Sequence, residues 1–186
     1  NPALKNRGFE RPQNWLGFLR WPVSALWSMT NAVMRRLVDF GFLQRRKLGT
    51  RVISVGNIQA GGAGKTPLVA QIVNEGVARN LKAAILCRGY GSIWEVMGGV
   101  LKPGDPQGDT ALCGDEAALL HDLAPTAYIG VGSDRYKSYQ EVVKAMGLDP
   151  DFVVLDDGFQ NWKIKKDLEI VALTSASRTE TFFREW

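Results

Sequence analysis

Arg51-Val-Ile-Ser-Val-Gly-Asn-Ile-Gln-Ala-Gly-Gly-Ala-Gly-Lys-Thr-Pro67 is the stretch that decides how this chain folds. It opens on a β-branched apolar run, Val52-Ile53-Ser54-Val55, and turns through Gly61, Gly62 and Gly64. It then passes directly into Lys65-Thr66 and a segment of helical apolar period. Strand, glycine turn and helix start, in that order, make a phosphate-binding loop. Glycines let main-chain N–H groups converge on anionic oxygens, and the helix adds its own free N–H groups and the positive end of its dipole. Gln59 stands where the eight-residue form of such loops begins with glycine, so the glycines fall late. The candidate nucleotide cradle is Gln59, Ala60, Gly61, Gly62, Ala63, Gly64, Lys65 and Thr66. Lys65 can reach the β- and γ-phosphates and the Thr66 hydroxyl can sit on Mg2+, so ATP with Mg2+ is the expected ligand pair.

A phosphate loop needs a second, acidic element for the metal. Phe152-Val-Val-Leu155 is a short apolar run, predicted as a buried strand that ends in Asp156-Asp157-Gly158-Phe159-Gln160. Adjacent aspartates at a strand end point to opposite sides. One is therefore expected to hold Mg2+ and the other to position a neighbouring group; Asp156 and Asp157 are both candidate ligands. Taken alone, Asp-Gly is turn chemistry; paired with the loop upstream, it reads as the second half of a nucleotide site.

Around these two motifs, strands and helices alternate. Lys65 to Arg79 is predicted helical, with Leu68, Ile72, Val73 and Val77 toward a sheet. Ala83–Cys87, Ala127–Val131 and Leu168–Leu173 are predicted strands. A helix is expected from Ala117 to Leu123, opened by Gly114-Asp115-Glu116, and another from Asp134 to Met146, capped by Ser133. Trp94 to Leu101 alternates loosely and suggests an excursion or a small hairpin. The expected fold is α/β: a three-layer, mostly parallel sheet of the phosphate-loop type.

Several further positions carry chemistry on paper. Asp115, behind the flexible Gly114, is a candidate base for a hydroxyl acceptor. An aspartate followed by a glutamate at a helix start is also ordinary capping, and spacing alone leaves both open. Glu116 can assist with Mg2+ or cap. Arg88 follows the strand 83–87 on the side where ligands bind in open α/β sheets; it reads as a phosphate clamp or as a plain surface arginine. Arg135, in the first turn of its helix, is an unfavourable place for a cation and hints at an anionic partner. Lys163, Lys165 and Lys166 read as a solvated face, with an anionic acceptor as the sharper alternative.

The first 48 residues differ in character. Val23, Leu26, Trp27, Thr30, Val33, Met34, Leu37 and Gly41 share one helical face. The uncharged run from Trp21 to Met34 is shorter than the ~20 residues a membrane span needs. Trp15, Trp21 and Trp27 suit the headgroup level, and Arg20, Arg35, Arg36 and Arg45-Arg46-Lys47 bracket the run. The segment reads as an amphipathic helix in the interface of an anionic membrane, or as one packed on the protein's own core. The expected division is 1–48 for this segment, 49–174 for a phosphate-loop kinase domain and 175–186 for a linker. The chain starts at Asn1 and stops at Trp186 among charged and aromatic residues, which reads as a fragment.

Bulk properties narrow the field. A 186-residue chain can bury one solid α/β core. A net charge of +4 suits anionic ligands or a membrane surface without implying nucleic acid. Cys87 and Cys113 lack metal-ligand spacing, which points to a reducing compartment. With His121 the only histidine, a histidine-based triad or zinc site is disfavoured. No Asn-Lys-x-Asp motif for guanine occurs, and Ala60 replaces the lysine that many switch ATPases carry before the paired glycines. A membrane-bound switch ATPase and an inactive nucleotide-binding module remain the alternatives to a kinase.

Four motifs together resemble the tetraacyldisaccharide 4'-kinase family. They are Ser54-Val-Gly-Asn-Ile-x-x-Gly-Gly-x-Gly-Lys-Thr-Pro67, Arg88-Gly-Tyr-Gly91, Gly114-Asp-Glu116 and Leu155-Asp-Asp-Gly-Phe-Gln160, with Ser133-Asp-Arg135 and Asp167-Leu-Glu-Ile170 fitting as well. The resemblance implies a membrane-associated kinase of two α/β lobes. It would pass the γ-phosphate of ATP to the 4'-hydroxyl of a tetraacylated disaccharide 1-phosphate, a lipid A precursor. The setting implied is the cytoplasmic face of the inner membrane of a Gram-negative bacterium, with no nucleic acid and no obligate protein partner. It maps hydroxyl activation onto Asp115, with Lys65 and Asp157 as the other catalytic positions, the metal onto Thr66, Asp156, Asp157 and Glu116, and acceptor binding onto Arg88, Tyr90 and Asn161. Asn161 departs from the family's histidine; asparagine keeps a donor and an acceptor but carries no proton at neutral pH. The resemblance also implies a second lobe beyond this chain.

Overall fold

The structure is a computed structural model; it describes Arg36 and residues 45–57, 64–106 and 108–173. The N-terminal amphipathic helix, the loop residues Gln59, Ala60, Gly61, Gly62 and Ala63, and the segment 175–186 lie outside the described residues. No helix among the described residues is long and apolar enough to cross a membrane.

Six strands make one sheet: β1 (Arg51–Asn57), β2 (Ala83–Cys87), β3 (Gly99–Leu101), β4 (Tyr128–Val131), β5 (Phe152–Asp156) and β6 (Leu168–Ala172). Their order is β3-β4-β2-β5-β1-β6, parallel throughout except that β3 runs antiparallel to β4. Every residue of β2 and β5 is buried, which is why both read as continuous apolar runs rather than alternating ones. The helices are α1 (Lys65–Ala78), α2 (Ile93–Met97), α3 (Thr110–Cys113), α4 (Asp115–Leu123) and α5 (Arg135–Met146). One core joins Val69 and Val73 of α1 and Ala117 and Leu120 of α4 to Val55, Ile85 and Val154 of the sheet. The other joins Tyr139 and Val142 of α5 to Val52, Leu86, Val153 and Leu155, with Leu48 and Ile164. Alternate residues of each strand feed opposite cores, so the expected three-layer, mostly parallel fold is the one observed.

The topology matters most for what it juxtaposes. β5 lies between β1 and β2, and Val55 is the register partner of Asp156. The end of β1 that leads to Lys65 and the end of β5 that carries the paired aspartates are therefore neighbours.

Two local expectations are corrected. Residues 93–97 form a helix, not the first arm of a hairpin. Ser92 caps it by accepting the Glu95 N–H at 3.2 Å, and only Gly99–Leu101 is strand. Asp134 rather than Ser133 caps α5, its Oδ1 accepting the N–H groups of Tyr136 and Lys137.

Candidate active site

Lys65 is the first residue of α1. Its ammonium donates to Asp157 Oδ1 at 2.7 Å, with the lysine side chain mostly buried and the aspartate about half exposed. The residue before it, Gly64, is the N-cap of α1 at φ 70°, and a Cβ there would meet nothing within 4 Å. Asp157 itself adopts φ 49°, a left-handed conformation rare outside glycine and the Asx residues. Strain of this sort persists only where surrounding structure imposes it. The structure imposes it here: Gly158 follows so closely against β1 that a Cβ would come within 2.5 Å of Ser54 Oγ, and Phe159 packs against Gly56. The chain therefore turns sharply after Asp156 and splits the two carboxylates.

Asp156 goes inward. It is fully buried; its Oδ1 accepts the Asp157 N–H at 2.9 Å, and its Oδ2 has no donor among the described residues. Burial pushes the carboxyl up to about 7, and the neighbouring Glu116 carboxyl pushes the same way; the Asp157 N–H and the Lys65 ammonium offset only part of this. An orphaned carboxylate oxygen with a second carboxylate against it is an arrangement that a divalent cation resolves. Among the described residues no three His, Cys, Asp or Glu side chains form a complete cage. Mg2+ needs none, because it takes one or two carboxylates and fills its remaining positions with water, a hydroxyl and phosphate oxygens. Asp156, Glu116 and Thr66, which follows Lys65 in α1, fit that donor set.

Asp115 is the first residue of α4. It is exposed, and Gly114 rather than Asp115 occupies the N-cap, with no side-chain capping bond. Asp115 therefore makes no capping bond, while with Glu116 it does lie in the first turn, where carboxylates meet the positive end of the helix dipole. Gly114 does something else: a Cβ on it would lie 3.1 Å from Gly89 Cα. The Arg88-Gly-Tyr-Gly and Gly-Asp-Glu motifs meet backbone to backbone, and this contact sets where Asp115 starts its helix. At Gly89, φ is +65° and a Cβ would strike Val131 Cγ1 at 2.3 Å and the Cys113 carbonyl at 2.7 Å. Gly89→Ala is expected to lower stability by about 2–4 kcal/mol through overpacking and a left-handed backbone, read as a shift in the urea midpoint.

Arg88 and Tyr90 lie exposed at this edge. The guanidinium donates to Glu95 Oε1 at 2.7 Å and lies 5.5 Å from the Tyr90 ring centre. Glu95 also accepts the Gly91 N–H, and that bond, followed by the one from Arg88, lowers its carboxyl below the ordinary range. Asn161 uses its oxygen locally, accepting the Lys163 N–H at 3.1 Å. Arg135 enters the site although its sequence position only hinted at it. It is buried, bonded to the Gly132 carbonyl, and has Cys87, Glu116 and Asp156 as electrostatic neighbours. Burial lowers the pKa of its guanidinium, and those three groups oppose the shift. A separate groove of about 760 Å3 between α2, β3 and α5 is lined by none of the predicted site residues.

This arrangement has counterparts. The model of the LpxK family, tetraacyldisaccharide-1-P 4'-kinase, matches residues 16–182. The chain belongs to the tetraacyldisaccharide 4'-kinase family. A tetraacyldisaccharide 4'-kinase of Chromobacterium violaceum is 35% identical over 165 residues, 88% of this chain and 46% of the relative. One of Neisseria meningitidis serogroup C is 37% identical over 179 residues, 94% of this chain and 49% of the relative. The crystal structure of LpxK from Aquifex aeolicus in complex with ATP superposes with a TM-score of 0.73 at 33% identity, covering 84% of this chain and 49% of that one. The chain spans about half the length of the family members it matches.

Proposed function

We propose that this chain carries the nucleotide and metal half of a lipid kinase. The kinase moves the γ-phosphate of ATP to the 4'-hydroxyl of a tetraacylated disaccharide 1-phosphate, a lipid A precursor. It works at the cytoplasmic face of the inner membrane of a Gram-negative bacterium, through an N-terminal segment divided from the kinase domain near residue 48. The observation that carries the reading is the direct bond from Lys65 to Asp157 beside the buried, half-satisfied carboxylate of Asp156. Family membership and an ATP-bound neighbour supply the substrate class.

The backbone of residues 59–64 cradles the triphosphate, and Lys65 turns from Asp157 to the transferring phosphate, where a fixed ammonium offsets charge that develops. Asp156, Glu116 and Thr66 hold Mg2+, which when bound neutralises phosphate oxygens. Asp157, freed of Lys65, positions the ligands around it. Asp115, exposed and uncommitted, orients the acceptor hydroxyl and takes its proton. Arg88, Tyr90 and Asn161 meet the acceptor, Asn161 by hydrogen bonding alone, and the Arg135 guanidinium offsets the charge of the acidic pair.

Incubating the full-length protein with Mg2+-ATP and the acylated disaccharide should add one phosphate to the acceptor, read by mass spectrometry. ATP consumption that ignores the acceptor would instead indicate a switch ATPase. Asp115→Asn is expected to slow transfer about 10²-fold with the KM for ATP and the thermal midpoint unchanged. A lowered midpoint with full turnover would make Asp115 a helix-end residue only.

A further inference from the structure

Two basic runs, more than a hundred residues apart in sequence, lie side by side. Arg46 pairs with Ile164 in an isolated parallel bridge: the Arg46 N–H donates to the Lys163 carbonyl at 2.7 Å and the Lys165 N–H to the Arg46 carbonyl at 2.9 Å. Ile164 and Leu48 point inward and are buried in the α5-side core. The two-residue period of extended chain then sends Arg45 and Lys47 outward on the same side as Lys163 and Lys165. All four are exposed, and none forms an ion pair among the described residues. Arg46, on the inner side, lies 4.8 Å from the centre of the Tyr136 ring and seals the margin. Lys166, by contrast, is nearly buried and held by Glu169 at 2.6 Å, so it does not contribute.

The ridge places four positive charges on a chain whose net charge is +4. These four cations stand together without a facing carboxylate in an ion pair among the described residues. That ridge also abuts the active site through α5: Arg135 belongs to the site, and Tyr136, the next residue, lies under Arg46.

We propose that the ridge of Arg45, Lys47, Lys163 and Lys165 is a docking surface for the anionic headgroups of a phospholipid bilayer, which orients the catalytic edge toward the membrane. Charge complementarity carries it, since clustered Lys/Arg beside an amphipathic segment is what anionic leaflets attract. In sequence Arg45 and Lys47 lie at the end of such a segment, residues 1–48. Nucleic acid fits less well, because the Tyr136 ring beside the ridge is already covered by Arg46 and is not free to stack on a base. The choice of a bilayer rests on the proposed membrane setting of the kinase; the ridge itself stands on the bridge and its register.

The test uses the whole chain, without ATP or acceptor, so its outcome is independent of kinase activity. Partition onto vesicles of phosphatidylcholine containing phosphatidylglycerol is compared with partition onto phosphatidylcholine alone. Each basic residue near an anionic surface contributes about fivefold, so Lys163→Gln with Lys165→Gln is expected to weaken binding to the anionic vesicles about 30-fold at low salt. Binding to the neutral vesicles and the thermal midpoint should not change. Wild-type binding by this double variant overturns the proposal, because Lys163 and Lys165 would then add nothing to the attraction and no two-stranded ridge would be needed. Tighter binding to duplex RNA than to the anionic vesicles at equal salt overturns it as well.

Discussion

Lys65→Met is expected to lower phosphoryl transfer by the full-length protein by about 10³-fold or more. The ammonium does two jobs in sequence. In the structure it neutralises Asp157 at 2.7 Å, beside the buried Asp156. In the proposed transfer it would face charge spreading over the phosphate oxygens, in a site where screening by water is weak. Methionine keeps the length and apolar stem of the side chain and removes only the charge, so α1 should remain intact. Loss of transfer should therefore come without loss of fold. ATP affinity should fall far less than turnover, because main-chain amides and the helix dipole retain most of the ground-state binding. Equilibrium binding of a nucleotide analogue, set beside single-turnover transfer, separates the two. Unaltered turnover would remove Lys65, and the loop with it, from the mechanism.

How much of this is legible in the sequence depends on how local each signal is. Val52–Val55, Ala83–Cys87 and Phe152–Leu155 announce buried parallel strands because both faces are covered, and the glycine turn before Lys65-Thr66 announces the start of α1. The pairing of Lys65 with Asp157 is legible as a juxtaposition, since each motif lacks a purpose without the other. The division of labour between Asp156 and Asp157 is not. It depends on Gly158 pressing against Ser54, a contact made across the sheet. The short helix at Ile93–Met97 escapes the sequence pattern because Val96 and Met97 are exposed apolar residues with no period to betray them. Asp115 is separated from a cap only by the packing of Gly114 against Gly89. Burial of Arg135 and the bridge between Arg46 and Ile164 are tertiary in the same sense: the Glu116 and Asp156 carboxyls that act on Arg135, and Ile164 beside Arg46, lie far along the chain, so no local pattern marks them.

Asp156→Asn is expected to abolish Mg2+-dependent transfer and yet to make the metal-free protein more stable. In the folded chain the carboxyl is pushed from 3.8 to about 7, by burial first and by Glu116 second. At low pH both folded and unfolded chains hold the proton, and no penalty exists. As pH rises from about 4 to about 7 the unfolded chain releases its proton while the folded chain keeps it, so stability falls across that window; above it the penalty is constant. One pKa unit corresponds to about 1.4 kcal/mol, so the full penalty is on the order of 4 kcal/mol. Asparagine removes the charge, keeps an oxygen for the Asp157 N–H, and offers an N–H2 toward Glu116. The variant should therefore melt several degrees above wild type at about pH 8 and at nearly the same temperature at about pH 4. Adding MgCl2 at about pH 8 should raise the wild-type midpoint and leave the variant nearly unmoved, because only the wild type has a buried anion for the cation to neutralise. A variant less stable than wild type at about pH 8 without metal would mean that Asp156 is already satisfied by the protein. The assignment of Asp156 and Glu116 to Mg2+ would then lose its physical basis.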